Sequence, residues 1–260
     1  MFKKDNWDEI LQALTANVFR TVLTAFGVFW GIFILVILLA AGNGLENGVK
    51  KGFDGIATNT MFMWSQTTSK AYKGLPKVRR YDFRNSDVEA LKQAFPDLLY
   101  VSPRNQLGDF NGSNNVVRGT KTSAFTIYGD YPELIKQQPM DIIKGRFVNQ
   151  QDILERRKVA VIGKGVITEL YGKEEESVGT YIKINGVNFM VVGIYNSKQR
   201  GGNAEQEQKN IFIPFTTFQQ AFNYGDKVGW MAITAKDETS ITDLKPKILE
   251  QIKMLHSVNP

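Results

Sequence analysis

Three carboxylates in the middle of the chain, Asp141, Asp152 and Glu169, are the side chains closest to an acid–base role. Their spacing matches no pairing that general acid–base catalysis requires. Arg146 and Asp152 are placed to form an ion pair that pins a loop, a structural rather than catalytic role. The single histidine, His256, is the fifth residue from the C-terminus. That leaves no histidine cluster for zinc and no His-dependent nucleophilic triad, and His256 reads as a solvated tail residue. With no cysteine in the chain, neither a disulfide framework nor a thiolate metal site can form. No G-x-x-x-x-G-K-[ST] occurs, so the chain cannot build a P-loop, and any ATP must be bound by another subunit. The sequence therefore offers no catalytic, cofactor-binding or metal-ligating residues, and the expectation is a protein that is not an enzyme.

Positioning, then, is the theme, and the first positioning element is an anchor. Thr21–Leu45 is a run of 25 residues without a charge. As a helix it covers roughly 37 Å at about 1.5 Å per residue, enough to cross a hydrocarbon core of about 30 Å with some tilt. A cleaved signal peptide has a shorter apolar region nearer the N-terminus, so a retained transmembrane helix is predicted over 21–45. Residues 1–20 place Trp7, Ile10, Leu11, Leu14 and Val18 at helical spacing, which predicts an amphipathic helix in the membrane interface. Lys3, Lys4 and Arg20 before the span, against Lys50 and Lys51 after it, bias the N-terminus only weakly towards the cytoplasm. Residues 46–56 carry apolar positions at helical intervals between glycines and are predicted to continue the helix as a stalk.

The rest predicts an α+β domain. At its ends, Ala57–Trp64, Leu98–Ser102, Asn210–Ile213 and Trp230–Ala235 read as strands, and Ser86–Phe95, Thr216–Phe222 and Ile241–Leu255 as helices. Ser86 and Glu89 have the spacing of a capping box. Between them, strands are predicted at Asn115–Gly119, Phe125–Tyr128, Lys158–Ile162, Thr180–Ile184 and Val187–Val192, with Asn185-Gly186 as a type I′ hairpin turn. A helix over Lys164–Tyr171 ends at Gly172. Two segments, 65–85 and 196–209, read as solvated or mobile loops. The predicted layout is a split, porter-like α+β lobe (57–102 and 206–260) carrying an inserted β-rich lobe (103–205). The formal charge is +6. Its scattered basic residues form no nucleic-acid module, and an anionic membrane surface accounts for the balance equally well.

Several motifs occur in order: Thr21-Val22-Leu23-Thr24 with Gly27 and Gly31; Tyr128-Gly129-Asp130-Tyr131-Pro132; Lys144-Gly145-Arg146-Phe147 followed by Asp152; and Val159-Ala160-Val161-Ile162-Gly163. Leu170-Tyr171-Gly172, Val178-Gly179, Ile182-Lys183-Ile184-Asn185-Gly186, Phe189-Met190-Val191-Val192-Gly193 and Ile213-Pro214 follow. The ordered series resembles the periplasmic core domain of MacB-like ABC transporter permeases, of the FtsX/MacB family. The resemblance implies a permease component working with a separate ABC ATPase subunit, as a homodimer or paired permease, with a periplasmic adaptor and membrane lipid as further partners. It places the chain in the inner membrane, N-terminus cytoplasmic and main domain periplasmic, with ATP-driven movement of that domain acting on a drug, peptide or lipoprotein. Family members carry three further membrane helices after this domain. A single-pass binding or adaptor module without transport activity is the alternative expectation.

Overall fold

The computed structural model describes residues 14–52, 59–107, 115–138, 140–172, 177–198 and 202–259. The chain divides into two units, Met1–Phe53 and Asp54–Pro260. In the first, helix α1 runs over Val18–Gly52. Its stretch Val18–Leu45, 28 residues, is long and apolar enough to cross a membrane. Phe26, Phe29, Trp30 and Phe33 are all exposed, and Phe26 stacks on Trp30 one turn away with ring centroids 6.0 Å apart. So large a contiguous apolar surface is what a lipid-facing helix presents and what a water-soluble one avoids. Thr24 turns its hydroxyl back onto the Arg20 carbonyl at 2.8 Å, which hides a polar donor from apolar surroundings. The helix contains Gly42 and Gly44 and continues beyond Leu45 through Gly48 to Gly52. Most of the expected interfacial helix, residues 1–13, and the end of the expected stalk, 53–56, lie outside the described residues.

The second unit is built on thirteen strands among the described residues. In chain order they are β1 Thr60–Trp64, β2 Phe83–Arg84, β3 Leu98–Leu107, β4 Asn115–Arg118, β5 Lys121–Ala124, β6 Thr126–Asp130 and β7 Met140–Gly145, then β8 Val159–Gly163, β9 Tyr181–Ile184, β10 Val187–Ser197, β11 Asn210–Pro214, β12 Lys227–Val228 and β13 Trp230–Ala235. Eleven of them form one sheet in the order β1-β13-β3-β6-β11-β8-β10-β9-β4-β5, with β7 on β10, while β12 and β2 make a separate ribbon. The pairs β6/β11 and β8/β10 are parallel and the others antiparallel. The helices are α2 Asn85–Ala94, α3 Leu134–Gln137, α4 Gln150–Leu154, α5 Lys164–Leu170, α6 Gly202–Glu207, α7 Phe215–Ala221 and α8 Ile241–Leu255.

Burial explains which segments became which. β8, Val-Ala-Val-Ile-Gly, is buried at every position, the continuous apolar run expected of a strand covered on both faces. β9 alternates exposed and buried, the pattern of a strand with one wet face. Two apolar clusters form the core. One joins Met63, Val101 and Ile233 to Val88 and Leu91 of α2 and to Leu244, Ile248 and Ile252 of α8. The other joins Ile127, Ile162, Val191 and Ile211 to Val166, Ile167 and Leu170 of α5 and Phe218 of α7.

Several sequence expectations shift. The strand expected to stop at Ser102 runs through Pro103 to Leu107. The Arg104 carbonyl faces β13, where it accepts from Gly229 N–H at 3.0 Å, so Pro103 faces the other edge, and there β6 pairs only from Asn105 onward. The missing proline N–H therefore costs no ladder bond. Helix α2 begins at Asn85, and the acid that accepts from the preceding backbone is Asp87, bonded to Arg84 N–H at 2.8 Å; Glu89 instead meets Lys92 at 3.3 Å. The expected Ser86–Glu89 box is thus displaced, because Asp87 is buried here while Glu89 faces solvent. Strands β2, β5, β7 and β12 and helices α3, α4 and α6 were not expected, β2 lying at the end of the segment read as a loop over 65–85. All are short, and their patterns are too brief to show a period.

The longest strand, β10, serves three partners: β9 along Val187–Met190, β7 along Gly193–Ser197 and β8 on its other edge, with register shifts after Val191 and after Ile194. Backbone approaches side-chain distance at this switch. A Cβ on Gly193 would collide with the Arg146 carbonyl oxygen, and one on Gly145, at φ +76°, with the Val192 carbonyl oxygen. Because the obstacles are backbone atoms, neither can move aside cheaply. Gly193→Ala is expected to lower stability by about 1–3 kcal/mol, read as a reduced denaturant midpoint of the full chain, with Gly119→Ala, where only the backbone φ of +58° and no neighbouring atom opposes a Cβ, as the milder comparison.

Candidate functional site

The three central carboxylates do not converge. Asp141 pairs with Lys198 at 3.0 Å on the surface, and Glu169 pairs with Lys209 at 2.7 Å while accepting from the Ser123 hydroxyl. Asp152 lies in a different cluster. Among the described residues no group of three or more acidic or histidine side chains could hold a metal ion.

Asp152 is fully buried at its side chain. Arg146 grips it through two nitrogens at 2.5 and 3.0 Å, Asn149 N–H donates to it at 2.9 Å, and Arg157 stands 3.8 Å away. The Asn149 side chain returns a bond from Asp152 N–H at 2.9 Å, closing a capping box on α4. The ion pair expected to pin a loop is present, and it fixes the path between β7 and α4. Burial alone would push the Asp152 carboxyl up, but the hydrogen bonds from Arg146 and Asn149 and the two guanidinium charges hold it below its ordinary value.

A second buried pair was not anticipated. Arg104 of β3 meets Asp130 of β6 at 2.5 and 3.1 Å, both side chains withdrawn from solvent. Burial pushes the Asp130 carboxyl up, and the facing guanidinium pulls the other way. The Arg104 guanidinium also lies over the rings of Tyr128 and Trp230, 4.7 and 5.3 Å from their centroids. From it a chain of polar groups runs outward: Arg104 to Gln138 at 3.4 Å, Gln138 to Glu207 at 2.6 Å, and Ser197 to Glu207 at 2.5 Å. Arg104, Tyr128, Gln138 and Glu207 border a cleft of about 400 Å³. Glu207 closes helix α6 inside the segment expected to be a mobile loop; its two side-chain bonds and the Tyr195 hydroxyl on its carbonyl fasten that end of the loop. Arg104, Asp130, Gln138, Glu207 and Ser197 are each bonded to a neighbour, so the network braces the strands and loop it joins.

The chain's path into the domain is held by Asn59, immediately before β1. Its side-chain amide nitrogen lies 2.8, 2.9 and 3.3 Å from the carbonyls of Thr239, Lys236 and Ala235, its side-chain oxygen accepts from Ile241 N–H at 2.8 Å, and its own carbonyl accepts from Ala235 N–H at 3.0 Å. One residue thus satisfies the turn between β13 and α8 and the first N–H of α8. Nothing in the sequence marks it, since asparagines before strands are common. His256 corrects an expectation: it is no solvated tail residue. Its ring bonds Asp87 at 2.8 Å and stacks on Tyr81 with centroids 4.6 Å apart, while Arg79 bonds the His256 carbonyl at 2.5 Å. The end of α8 turns back onto α2, so position near the terminus did not mean exposure.

Comparison with known proteins follows this geometry. The profile of the MacB-like periplasmic core domain matches residues 21–251, taking in most of the apolar stretch as well as the sheet. The sequence is 27% identical over 254 residues to the "Macrolide export ATP-binding/permease protein MacB" of Chlorobium phaeobacteroides, covering 95% of this chain and 37% of that protein. The chain thus spans little more than a third of the length of that relative. The fold is similar to the crystal structure of the periplasmic region of MacB from Actinobacillus actinomycetemcomitans, with a TM-score of 0.64, 19% identity, and 79% and 88% of the two chains covered. It is similar also to the extracellular domain of the noncanonic ABC-type transporter YknZ from Gram-positive bacteria, with a TM-score of 0.60, 14% identity, and 77% and 96% covered.

Asn59→Ala is expected to cost about 1–3 kcal/mol and to speed amide hydrogen exchange first in β1 and the opening turn of α8. Asp152 contributes stability that is complete above the ordinary aspartate value of 3.8 and disappears as pH falls through its lowered folded value. The stability gap between the native chain and Asp152→Asn, measured by denaturant unfolding, should therefore narrow as the pH is taken below that ordinary value.

Proposed function

Because the chain belongs to the MacB-like periplasmic core domain family, whose profile covers residues 21–251, we propose that it forms the membrane-anchored extracytoplasmic part of an ABC transporter permease. The observation that supports this most is the unbroken run of that match from the apolar helix into the sheet domain. In this reading the N-terminus is cytoplasmic, the domain is periplasmic, ATP is hydrolysed by a separate ABC ATPase subunit, and the permease works as a dimer or pair in the inner membrane. The cargo is of the drug, peptide or lipoprotein kind, handed on outside the inner membrane with an adaptor.

Transmission of movement needs a connection that does not yield. Within the sheet domain the Asn59 clamp on the start of α8 is suited to that task, because force entering at β1 reaches β13 and α8 through bonds. The partition into a split α+β lobe, 57–102 and 206–260, and an inserted β-rich lobe, 103–205, belongs to the same proposal. Each of the two apolar clusters draws residues from both parts, and β11 lies between β6 and β8 in one continuous sheet, so the two lobes share one framework. Purification of the full chain by its own tag, after co-expression with an ATPase encoded beside it, is expected to recover the ATPase in stoichiometric amount. Isolation of the chain free of any ATPase would instead favour a binding or adaptor module.

A further inference from the structure

A groove of about 550 Å³ opens between β1, the segment that follows it and one face of α8. That volume falls within the range of about 300–1,000 Å³ of small-molecule sites. Its depth is apolar: Phe83 and Ile252, both core residues, with half-buried Tyr81 and Leu249 above them. Its rim is cationic. Lys70, Lys245 and Lys253 line it, no acidic side chain does, and none of the three lysines is in an ion pair with any described residue. Lys245, Leu249 and Ile252 share one helical face by their spacing. Trp64, 51% exposed, stands at the opening.

We propose that this groove binds a single-chain anionic amphiphile, a fatty carboxylate whose head meets the three lysines and whose acyl chain lies over Leu249, Ile252 and Phe83. Charge complementarity selects the head, since the groove is lined by three lysines that form no ion pair with any described residue and by no acidic side chain. The apolar lining selects the tail, since a chain laid over half-buried Leu249 and exposed Trp64 removes apolar surface from water on both sides. The outer edge of β1 has no described backbone partner, which invites comparison with an added peptide strand. A strand would lie in the plane of the sheet, however, whereas the groove descends beneath it to Met63, Phe83 and Ile252 on the side of α8. The proposal is independent of whether the chain couples to an ATPase.

The test uses the full chain in nanodiscs of zwitterionic lipid, with empty nanodiscs as reference and 11-bromoundecanoate as probe. Bromine quenches a tryptophan it touches, and the difference between the native chain and Trp64→Phe isolates the signal at the mouth of the groove. Saturable quenching of Trp64 is expected, displaced by unbrominated undecanoate. Affinity should fall roughly tenfold or more in a variant with Lys70→Gln, Lys245→Gln and Lys253→Gln, and likewise in Leu249→Glu, which sets a like charge in the floor. Absence of saturable quenching overturns the proposal, as does equal quenching by the uncharged methyl ester or unchanged affinity in both variants. Displacement by an acidic hexapeptide as effective as by undecanoate also overturns it, giving the groove to a peptide.

Discussion

The extramembrane sheet depends on the backbone of β10. Over Val187–Ser197 one strand bonds β9 and then β7 along one edge and β8 along the other, so the pieces on either side of it share a single ladder. That sharing demands that β10 change partners midway, and the change is made where Gly193 and Gly145 let two stretches of backbone come closer than any side chain would allow. The same close approach delivers Arg146, next in the chain after Gly145, to Asp152. The ion pair is therefore a consequence of the sheet's geometry before it is a contributor to its stability.

Buried charge in this domain is spent on holding elements in place. Arg104 and Asp130 join β3 to β6, the junction at which the strands near the two ends of the chain meet those of its middle. Arg146 and Asp152 fix the connection between β7 and α4. Both pairs are surrounded by further donors, the arrangement that makes a buried ion pair tolerable but does not by itself make it strongly stabilising. In both pairs the charged atoms are turned on one another and on neighbouring donors.

The outermost elements, β1 and α8, carry what remains uncommitted. Asn59 ties them at one end and the bond of His256 to Asp87 fastens the far end of α8 to α2. Between those fastenings lie Lys245, Lys253 and half-buried Leu249, which line the groove. A helix held at both ends and wet along one face is a stable wall for a ligand. It also lies beside β1, the first strand of the domain.

The sequence by itself determined the elements whose signals are local. The charge-free run from Thr21 to Leu45 has no alternative but an apolar helix, the β13 and α8 segments carry their periods over enough residues to be read with their observed limits, and Asn185-Gly186, with φ of 44° and 87°, is a turn because both residues accept positive φ. The Arg146–Asp152 pair was legible for the same reason, since its members are close in sequence. Tertiary structure alone decided the Arg104–Asp130 brace, the Asn59 clamp and the seating of His256. Their partners are 26 to 182 residues apart, and a contact across that distance is set by which strand neighbours which, a choice made by the burial of whole faces and not by any residue's own preference.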